Sequence, residues 1–202
     1  MVWVVGDQTI KGNETGTSFR QALLFKEIGF NLFDTMIYSK PNPGMLGAGK
    51  GYNQSFEYMF IFGKNNYPKT INIIKDYKRK YQLKDKVSTI RNKDGTTVRR
   101  INKGVSPEYG ARTNVWYYDI GFNHTTTDPV WEHPAMFPEK LANDHIISWS
   151  NEGDLVYDPF IGSGTTAKMA MVNKRDYIGS EISKEYTDLA NSRLDKTTKP
   201  LL

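Results

Sequence analysis

The sequence predicts an α/β fold, and two observations support this prediction. Residues 155–182 contain an apolar strand, a glycine-containing turn, the start of a helix, a second strand and an acid, in that order. Towards the N-terminus, apolar strand patterns at Val2–Val5, Asn31–Tyr38 and Phe56–Phe62 are combined with a helical pattern at Ser18–Gly29. Strands that alternate with helices are typical of a sheet covered by helices.

The glycine turn is the most informative part of the chain. The apolar strand Leu155–Tyr157 leads into the turn Asp158–Gly164, where glycines allow the backbone to approach a ligand closely. We expect Thr165 and Thr166 to cap the first turn of the helix that follows, whose free amides attract hydrogen-bond acceptors. The alternative is a tight strand-to-helix turn that binds nothing.

An acid follows this turn at a separation in sequence that is typical of sites that bind a ribose. Tyr177–Ile178 is predicted as a second strand, and Glu181 lies just past its end. An acid about 20 residues beyond a glycine turn typically accepts hydrogen bonds from a ribose. The glycine spacing matches neither the dinucleotide fingerprint nor the lysine-containing phosphate loop, which disfavours nicotinamide cofactors and nucleoside triphosphates. A different nucleoside cofactor, over the ends of adjacent parallel strands, is therefore expected.

The amino-acid sequence of this region resembles motifs of one protein family. The string Asp-Pro-Phe-Ile-Gly-Ser-Gly-Thr-Thr at 158–166 is similar to the S-adenosylmethionine motif of DNA amino-methyltransferases, and the string beginning His-Pro-Ala-Met-Phe-Pro at 133–142 is similar to a second motif of that family. Their order is that of the permuted subgroup, in which the cofactor half is C-terminal. Residues 177–182, Tyr186 and Arg193 extend the resemblance, which covers nearly the whole chain.

The resemblance implies a Rossmann-like S-adenosylmethionine-dependent methyltransferase fold, with S-adenosylmethionine as cofactor. The resemblance implies that Glu181 binds the ribose hydroxyls and that Phe137 and Pro138 cover the cofactor. For Phe137, packing in the core is the alternative. The implied cofactor-binding residues are Phe137, Pro138, Asp158, Pro159, Phe160, Gly162, Ser163, Gly164, Thr165, Thr166 and Glu181. A structural role is expected for His133. Asp7 follows a strand either near the target-base pocket or in a turn.

The composition excludes several other classes of site. The chain of 202 residues has no cysteine, so disulfides, cysteine nucleophiles and thiolate zinc sites are ruled out. Its three histidines lack the spacing of metal ligands, and no metal is expected. The chain has no apolar run approaching the ~18 residues of a membrane helix and no visible signal peptide, so a cytoplasmic protein is expected.

The positive charge of the chain is concentrated in one region. The net charge is +5, yet residues 64–104 alone carry 13 lysines and arginines against three acids. Such a concentration is typical of a polyanion binder. The resemblance places a DNA-recognition region at 64–130, between strands of the methyltransferase sheet at 1–63 and the cofactor-binding part at 131–202. Double-stranded DNA is the partner it implies.

Within this region, the candidate DNA contacts are basic side chains, most of them for phosphates and a few for base edges. They are Lys78, Arg79, Lys80, Arg91, Arg99, Arg100, Lys103 and Arg112. The alternative is a merely solvated basic insertion. Tyr109, Tyr117 and Tyr118 could stack on bases, but packing within the protein is the favoured interpretation of each.

Other elements follow from local patterns. Asn92–Gly95 is a turn sequence between two predicted strands, Val87–Ile90 and Thr96–Ile101. Ile71–Lys80 is predicted as a short helix and Val115–Asp119 as a strand. The remaining predictions are a loop at Lys40–Gly51, a helix at 139–150 with Leu141, His145, Ile146 and Trp149 inward, a helix at Thr187–Leu194, and an apolar side of the first helix formed by Phe19, Leu23, Leu24 and Ile28.

The motif that performs catalysis in the family is missing. Base amino groups are poor nucleophiles, and family members hold the flipped base with an Asp/Ser/Asn-Pro-Pro-aromatic string. None of the nine prolines here is followed by another proline. Asp128-Pro129-Val130-Trp131 is the nearest approach, but no apolar strand precedes it, and it is interpreted as a loop. No catalytic residue is therefore assigned.

The position of this gap predicts an incomplete mixed sheet. On the family's strand order, the catalytic strand lies between the strand ending at Asp158 and the strand Val2–Val5, so its absence leaves a central slot. We expect a C-terminal portion of a larger enzyme: either another chain supplies an N-terminal piece, or the gene is a truncated remnant. Direct pairing of the two flanking strands is a third alternative.

The function that follows is methylation of an amino group in DNA, at N6 of adenine or N4 of cytosine. Adenine is only weakly favoured, since the residue that usually separates the two bases belongs to the missing string. A non-catalytic DNA-binding protein derived from such an enzyme is the main alternative, and an RNA methyltransferase is a weaker one.

Overall fold

The computed structural model describes residues 1–41, 52–120 and 137–197. It divides the chain into two compact units, of which the first comprises the residues up to Asn72 and those from Asn114 onwards, and the second is Ile73–Thr113. The loop predicted at Lys40–Gly51 falls mostly outside the described residues, as do Asp128–Trp131 and His133. Among the described residues, no helix is both long enough and apolar enough to cross a membrane.

The described helices and strands follow the order expected for an α/β fold. They are β1 (Val2–Val5), β2 (Thr9–Ile10), β3 (Asn13–Glu14), α1 (Thr17–Glu27), β4 (Asn31–Ser39), β5 (Phe56–Gly63), β6 (Tyr77–Lys78), β7 (Lys84–Arg91), β8 (Thr97–Val105), β9 (Tyr109–Gly110), β10 (Val115–Tyr117), α2 (Glu139–Trp149), β11 (Leu155–Asp158), α3 (Thr165–Val172), β12 (Asp176–Gly179) and α4 (Lys184–Asp195).

The first unit contains a mixed four-stranded sheet in the order β1-β5-β4-β10. β5 lies antiparallel to both β1 and β4, whereas β10 lies parallel to β4. The apolar run of β5 supplies the buried centre of this sheet, where Met59, Ile61 and Phe62 are almost fully enclosed. The strand predictions for these segments are confirmed.

A separate parallel pair, β11 and β12, carries the glycine turn. The register places Asp158 opposite Gly179, so both strands end at the same edge. β1 pairs with β5 and β11 pairs with β12, but β1 and β11 do not pair with each other. The structure therefore contradicts the alternative of direct pairing between the two flanking strands.

The buried face of α1 differs from the predicted one. Phe19, Leu23, Leu24 and Ile28 are each more than half exposed, while Ser18 and Ala22 are buried. Successive residues turn by 100°, so Phe19 and Ile28 point to opposite sides of the helix and cannot form one stripe. The core formed by Ala22, Phe60 and Phe62 instead receives Phe25. The helix ends as predicted at Gly29, which has a φ of 102°.

α2, α3 and α4 cover the glycine turn. Ala142 and Ile146 of α2 pack against Met169 and Ala170 of α3, with Val156 beneath them. The helix predicted at 139–150 is confirmed, with Leu141, His145 and Ile146 buried and Trp149 half-buried. α4 begins three residues earlier than predicted, because the Ser183 hydroxyl accepts a hydrogen bond from the Tyr186 amide at 3.4 Å.

The second unit is built from short strands and one long hairpin. β7 and β8 pair antiparallel around the Asn92–Gly95 turn, as predicted. The helix predicted at Ile71–Lys80 is wrong: this segment contains no helix, and its Tyr77–Lys78 part is a strand that pairs with β9. Three β-branched isoleucines in this segment weaken a helix. The Asn72 amide also donates to the Ser148 carbonyl at 2.8 Å instead of to a helical partner.

Candidate cofactor site

The turn between β11 and α3 depends on glycine at two positions. Gly162 and Gly164 have φ values of 51° and 82°, in the left-handed region that other residues avoid. A Cβ atom on Gly164 would lie 3.0 Å from the Cβ of Ala190 in α4. Any other residue at position 164 would therefore combine left-handed backbone strain with a tight contact against α4.

Asp158 fixes both arms of the turn. Its Oδ1 accepts from the Phe160 amide at 2.9 Å, and its Oδ2 accepts from the Thr166 hydroxyl at 2.6 Å. The expectation that Thr165 and Thr166 cap α3 is wrong, since Gly164 is the N-cap residue and no side chain caps it. The threonines occupy the first helical positions, and their hydroxyls bind Arg193 and Asp158 instead.

Glu181 reaches the glycine turn from the end of β12. Its Oε2 accepts from the Gly162 amide at 3.0 Å, and its Oε1 accepts from the Ser183 amide at 2.9 Å. Both oxygens of this carboxylate therefore bind backbone amides at or near the turn. Glu181, which is predicted to bind a ribose, thus contacts the backbone of the glycine turn that is predicted to approach the same nucleoside. These residues fit such a ligand.

A buried ion cluster supports the backbone of the glycine turn. Glu139 Oε1 lies 2.8 Å from Lys168 Nζ and 2.9 Å from Arg193 Nη2, and all three residues are at most 8% exposed. Arg193 Nη1 also donates to the Ser163 carbonyl at 2.5 Å. The cluster ties α2, α3 and α4 to the backbone of the turn.

The sequence alone indicated no role for Glu139 or Lys168, and it indicated Arg193 only through the family resemblance. One signal was present for Lys168, because it is the single charge in the otherwise apolar or small Ala-Lys-Met-Ala-Met run of a helix. A lysine there must be paired if it is buried. Its partner lies on another helix and could not be read from the sequence.

A cavity of about 800 Å³ adjoins the turn. Residues of β1 and of β11 both line it, and the ring centroids of Trp3 and Phe160 lie 6.2 Å apart. Of the predicted cofactor residues, those that line the cavity are Phe137, Asp158, Pro159, Phe160, Gly162, Ser163, Thr165 and Thr166. Gly164, Glu181 and Pro138 do not line it, and Pro138 is buried as the N-cap residue of α2.

His145 lines the same cavity but is held neutral. Burial lowers the pKa of its imidazole to about 3, against a smaller opposing effect of Asp144. Its Nδ1 accepts from the Trp149 indole at 3.2 Å, so its proton is on Nε2, which lies 3.1 Å from the Met59 sulfur. The ring also packs on Trp116, with centroids 4.7 Å apart. This histidine is a core residue.

Asp7, for which two roles were considered, caps α1. Its Oδ1 accepts from the Ser18 amide at 3.1 Å, and its carboxylate also accepts from the Ser18 hydroxyl. Burial tends to raise the pKa of this carboxyl, but hydrogen bonds from Ser18, Thr17 and Thr15 outweigh that effect and lower it. The described residues contain no group of three or more side chains that could hold a metal ion.

The predicted DNA contacts all lie in the second unit. Arg91 lies on β7, Arg99, Arg100 and Lys103 lie on β8, and Lys78, Arg79 and Lys80 lie in or next to β6. Arg112 is held by Asp76, whose two oxygens lie 3.1 and 3.0 Å from its Nε. Lys78 makes a long exposed contact of 3.7 Å with Glu108.

Two of the three tyrosines considered for base stacking remain exposed. Tyr109 and Tyr117 are 44% and 68% exposed. Tyr118 is buried in the first unit and donates to Asp144 Oδ2 at 2.6 Å, so packing is its role, as favoured above.

Comparison with known proteins identifies related sequences and folds. A family model described as DNA methylase matches residues 1–192. The orphan methyltransferase M.BamHII of Bacillus amyloliquefaciens is 57% identical over 197 residues, which are 96% of this chain and 74% of that protein. The type II methyltransferase M.HpaI of Haemophilus parainfluenzae is 29% identical over 181 residues, and the match covers 88% of this chain and 50% of M.HpaI.

Solved structures share the fold. The cytosine-N4-specific PvuII DNA methyltransferase has a TM-score of 0.67 at 20% identity, with 95% of this chain and 62% of that one covered. An M1.HpyAVI–SAM complex has a TM-score of 0.60 at 24% identity, with 96% and 74% covered. Each of these solved chains extends beyond the part that this chain matches.

Proposed function

Because this chain belongs to the DNA methylase family, we propose that it is the cofactor-binding and DNA-recognition portion of an enzyme that methylates base amino groups at specific sites. Members of this family are S-adenosylmethionine-dependent methyltransferases that act on DNA. The observation that carries the assignment of the cofactor site is the contact of Glu181 with the Gly162 amide, at the shared end of two parallel strands.

The chain's own residues would bind and orient the cofactor. When bound, S-adenosylmethionine supplies an electrophilic methyl group. Glu181 accepts from its ribose hydroxyls, the glycine turn provides close backbone approach, and Asp158 keeps the turn in shape through the Phe160 amide and the Thr166 hydroxyl. Phe137 and Phe160 line the cavity with apolar surface that excludes water from the reacting end.

The cofactor site can be tested by equilibrium binding of S-adenosylmethionine to the full chain. Glu181→Gln keeps the size of the side chain but removes the charge that accepts ribose hydroxyls, so we expect at least tenfold weaker binding. Glu185→Gln, an exposed acid in the first turn of α4, is the matched control and should bind like the unaltered chain. Equal affinities of the two variants would contradict the role of Glu181.

We further propose, in the permuted arrangement that the sequence resembles, that a strand from outside the chain completes the sheet. Within the described residues, β1 and β11 each pair on one side only, and the 800 Å³ cavity is lined by both strands. An open strand edge offers its amides and carbonyls for pairing with another strand, and Leu155 and Tyr157 of β11 are 65% and 59% exposed. A strand carrying a Pro-Pro-aromatic string would satisfy both edges and bring the target base to the cofactor.

The exposed side of α1 supports the same partner. Gln21 lines the cavity, and Leu24 and Ile28 continue the side of the helix on which Gln21 lies. These two side chains are 52% and 62% exposed. The supplied segment would therefore cover apolar helix surface as well as fill the slot.

Methyl transfer from labelled S-adenosylmethionine to duplex DNA tests this proposal. The chain should bind cofactor but transfer no methyl group alone, and it should become active when mixed with a segment from the unmatched quarter of the M.BamHII chain. Mass analysis of the nucleosides then distinguishes N6-methyladenine from N4-methylcytosine. Activity of the chain alone would overturn the need for a supplied strand.

One other function has a specific observation in its favour. The chain carries a concentrated basic region and no Pro-Pro string, which also suits a non-catalytic DNA-binding protein. Duplex binding without any cofactor binding would support this alternative and contradict the methyltransferase-portion proposal.

A further inference from the structure

The β7–β8 hairpin in the second unit presents two faces, each with two basic residues and one exposed apolar pair, and one of them carries two arginines. Its register pairs Thr89 with Arg99 and Arg91 with Thr97, and directly opposed residues point to the same side of a ribbon. Arg91, Arg99, Thr89 and Thr97 therefore share one face, which we call the arginine face. The other face carries Lys86, Ser88 and Arg100 together with the apolar pair Ile90 and Val98.

The charge of the arginine face is not balanced inside the hairpin. Arg91 and Arg99 are diagonal neighbours, which places them about 7–8 Å apart and makes them repel each other. Asp85 and Asp94, the two acids of the hairpin, instead accept from the Gly104 amide at 2.8 Å and the Thr96 amide at 2.9 Å. Within the described part of the chain, neither arginine has an ion-pair partner, and the face calls for an anionic or acceptor-rich ligand.

The shape of the hairpin selects the ligand. A two-stranded ribbon fits the major groove of B-DNA, which is about 12 Å wide. Both strands are solvent-exposed on nearly their whole length, and the pair Val87 and Ile101 on the arginine face remains 47% and 55% exposed. The opposite face carries an equally exposed apolar pair, Ile90 and Val98, so the presence of two arginines, rather than the apolar surface, favours the arginine face for contact with base edges.

We propose that the β7–β8 ribbon enters the major groove with its arginine face towards the bases, and that Arg91 and Arg99 each recognise a guanine. A planar guanidinium donates two parallel hydrogen bonds to O6 and N7 of guanine, which lysine cannot reproduce. Arg100 and Lys86, on the opposite face, reach the phosphates that wall the groove. This inference rests on the proposed function, since it specifies how the DNA of that reaction is read.

Selection from a pool of random duplexes about two helical turns long, with the full chain and S-adenosylmethionine present, tests the inference. We expect the unaltered chain to enrich a sequence containing guanines. Arg91→Lys and Arg99→Lys should each lower the preference at one guanine about tenfold while leaving affinity for unselected duplexes within about twofold. Arg100→Lys is the matched control and should keep every preference.

Three results would overturn the inference: no enriched sequence with the unaltered chain, unchanged preferences in both arginine-face variants, or an equal loss in Arg100→Lys. Thermal unfolding of each variant verifies that these exposed substitutions leave the fold intact. Cofactor binding is measured separately, and its failure would count against the proposed function, whereas loss of guanine preference with cofactor binding retained concerns the ribbon alone.

Discussion

At the scale of single residues, Gly164 and Gly153 allow a comparison of two constraints on a glycine. Both have left-handed backbones, with φ values of 82° and 81°. A Cβ on Gly164 would press on Ala190, whereas a Cβ on Gly153 would meet nothing within 4 Å. The two positions therefore separate backbone strain from overpacking.

We predict that Gly164→Ala lowers the free energy of unfolding by about 2–4 kcal/mol, from left-handed strain and contact with α4 together. Gly153→Ala should cost about 1–2 kcal/mol, since only the strain applies there. Urea unfolding of the three proteins measures both losses. Equal losses in the two variants would show that the contact with Ala190 does not constrain the turn.

His145 makes the stability of the first unit depend on pH. Its pKa of about 3 in the folded protein is below the ordinary value near 6.5, so the unfolded chain binds the proton more tightly. Stability is then complete above about pH 6.5 and falls as the pH decreases towards 3, by at most about 1.4 kcal/mol per pH unit.

We predict that the free energy of unfolding falls by about 1 kcal/mol between pH 7.5 and 5.5, because the buried ring resists protonation. His145→Gln lacks this titration and should show a smaller fall, although it is less stable at both pH values. Urea unfolding at the two pH values measures the difference. The same fall in both proteins would assign the pH dependence to other groups.

At the scale of elements, the helices around the turn depend on an ion cluster as well as on apolar packing. Glu139 of α2 is shared by Lys168 of α3 and Arg193 of α4. One buried acid is thus bound by two buried cations, and it joins three helices.

We predict that Glu139→Gln destabilises the protein by about 3–5 kcal/mol, since it removes the buried negative charge that Lys168 and Arg193 share. Asp188→Asn breaks the exposed pair with Lys184, which is separated by one helical turn, and should cost less than about 0.5 kcal/mol. Thermal or urea unfolding compares the two. A small effect of Glu139→Gln would mean that water reaches the cluster.

At the scale of the whole molecule, charge and cofactor chemistry are assigned to different parts of the chain. The basic excess lies between residues 64 and 104, whereas the glycine turn and Glu181 belong to the first unit. The two binding activities should therefore respond differently to salt.

We predict that affinity for duplex DNA falls steeply between 50 and 200 mM salt, with a logarithmic slope of about −0.9 for each phosphate contact. Arg100→Ala should reduce this slope by about 1, whereas Lys184→Ala, an exposed lysine of the first unit, should not change it. Fluorescence anisotropy measures duplex binding, and calorimetry of cofactor binding should show little salt dependence. A salt-independent DNA affinity would contradict an electrostatic recognition region.

Local rules explain the parts of the fold and site that the sequence predicted correctly. The local sequence constrains the neighbouring backbone through its glycine positions, its apolar runs and the acid after β12. The order of strand, turn, helix and strand between Leu155 and Glu181 could therefore be predicted from the sequence. The Asn92–Gly95 hairpin was readable for the same reason. Ile71–Lys80 was not, because a long-range contact of Asn72 outweighed a weak local preference.

The sequence by itself determined the family resemblance, the cofactor turn and the concentration of positive charge, since these depend on residue type and spacing. Only the tertiary structure decided which side of α1 is buried, that Glu139 pairs with Lys168 and Arg193, and that β1 and β11 border a cavity without pairing. Those features join residues far apart in the chain. Their energies come from contacts that form only when the whole fold brings the elements together.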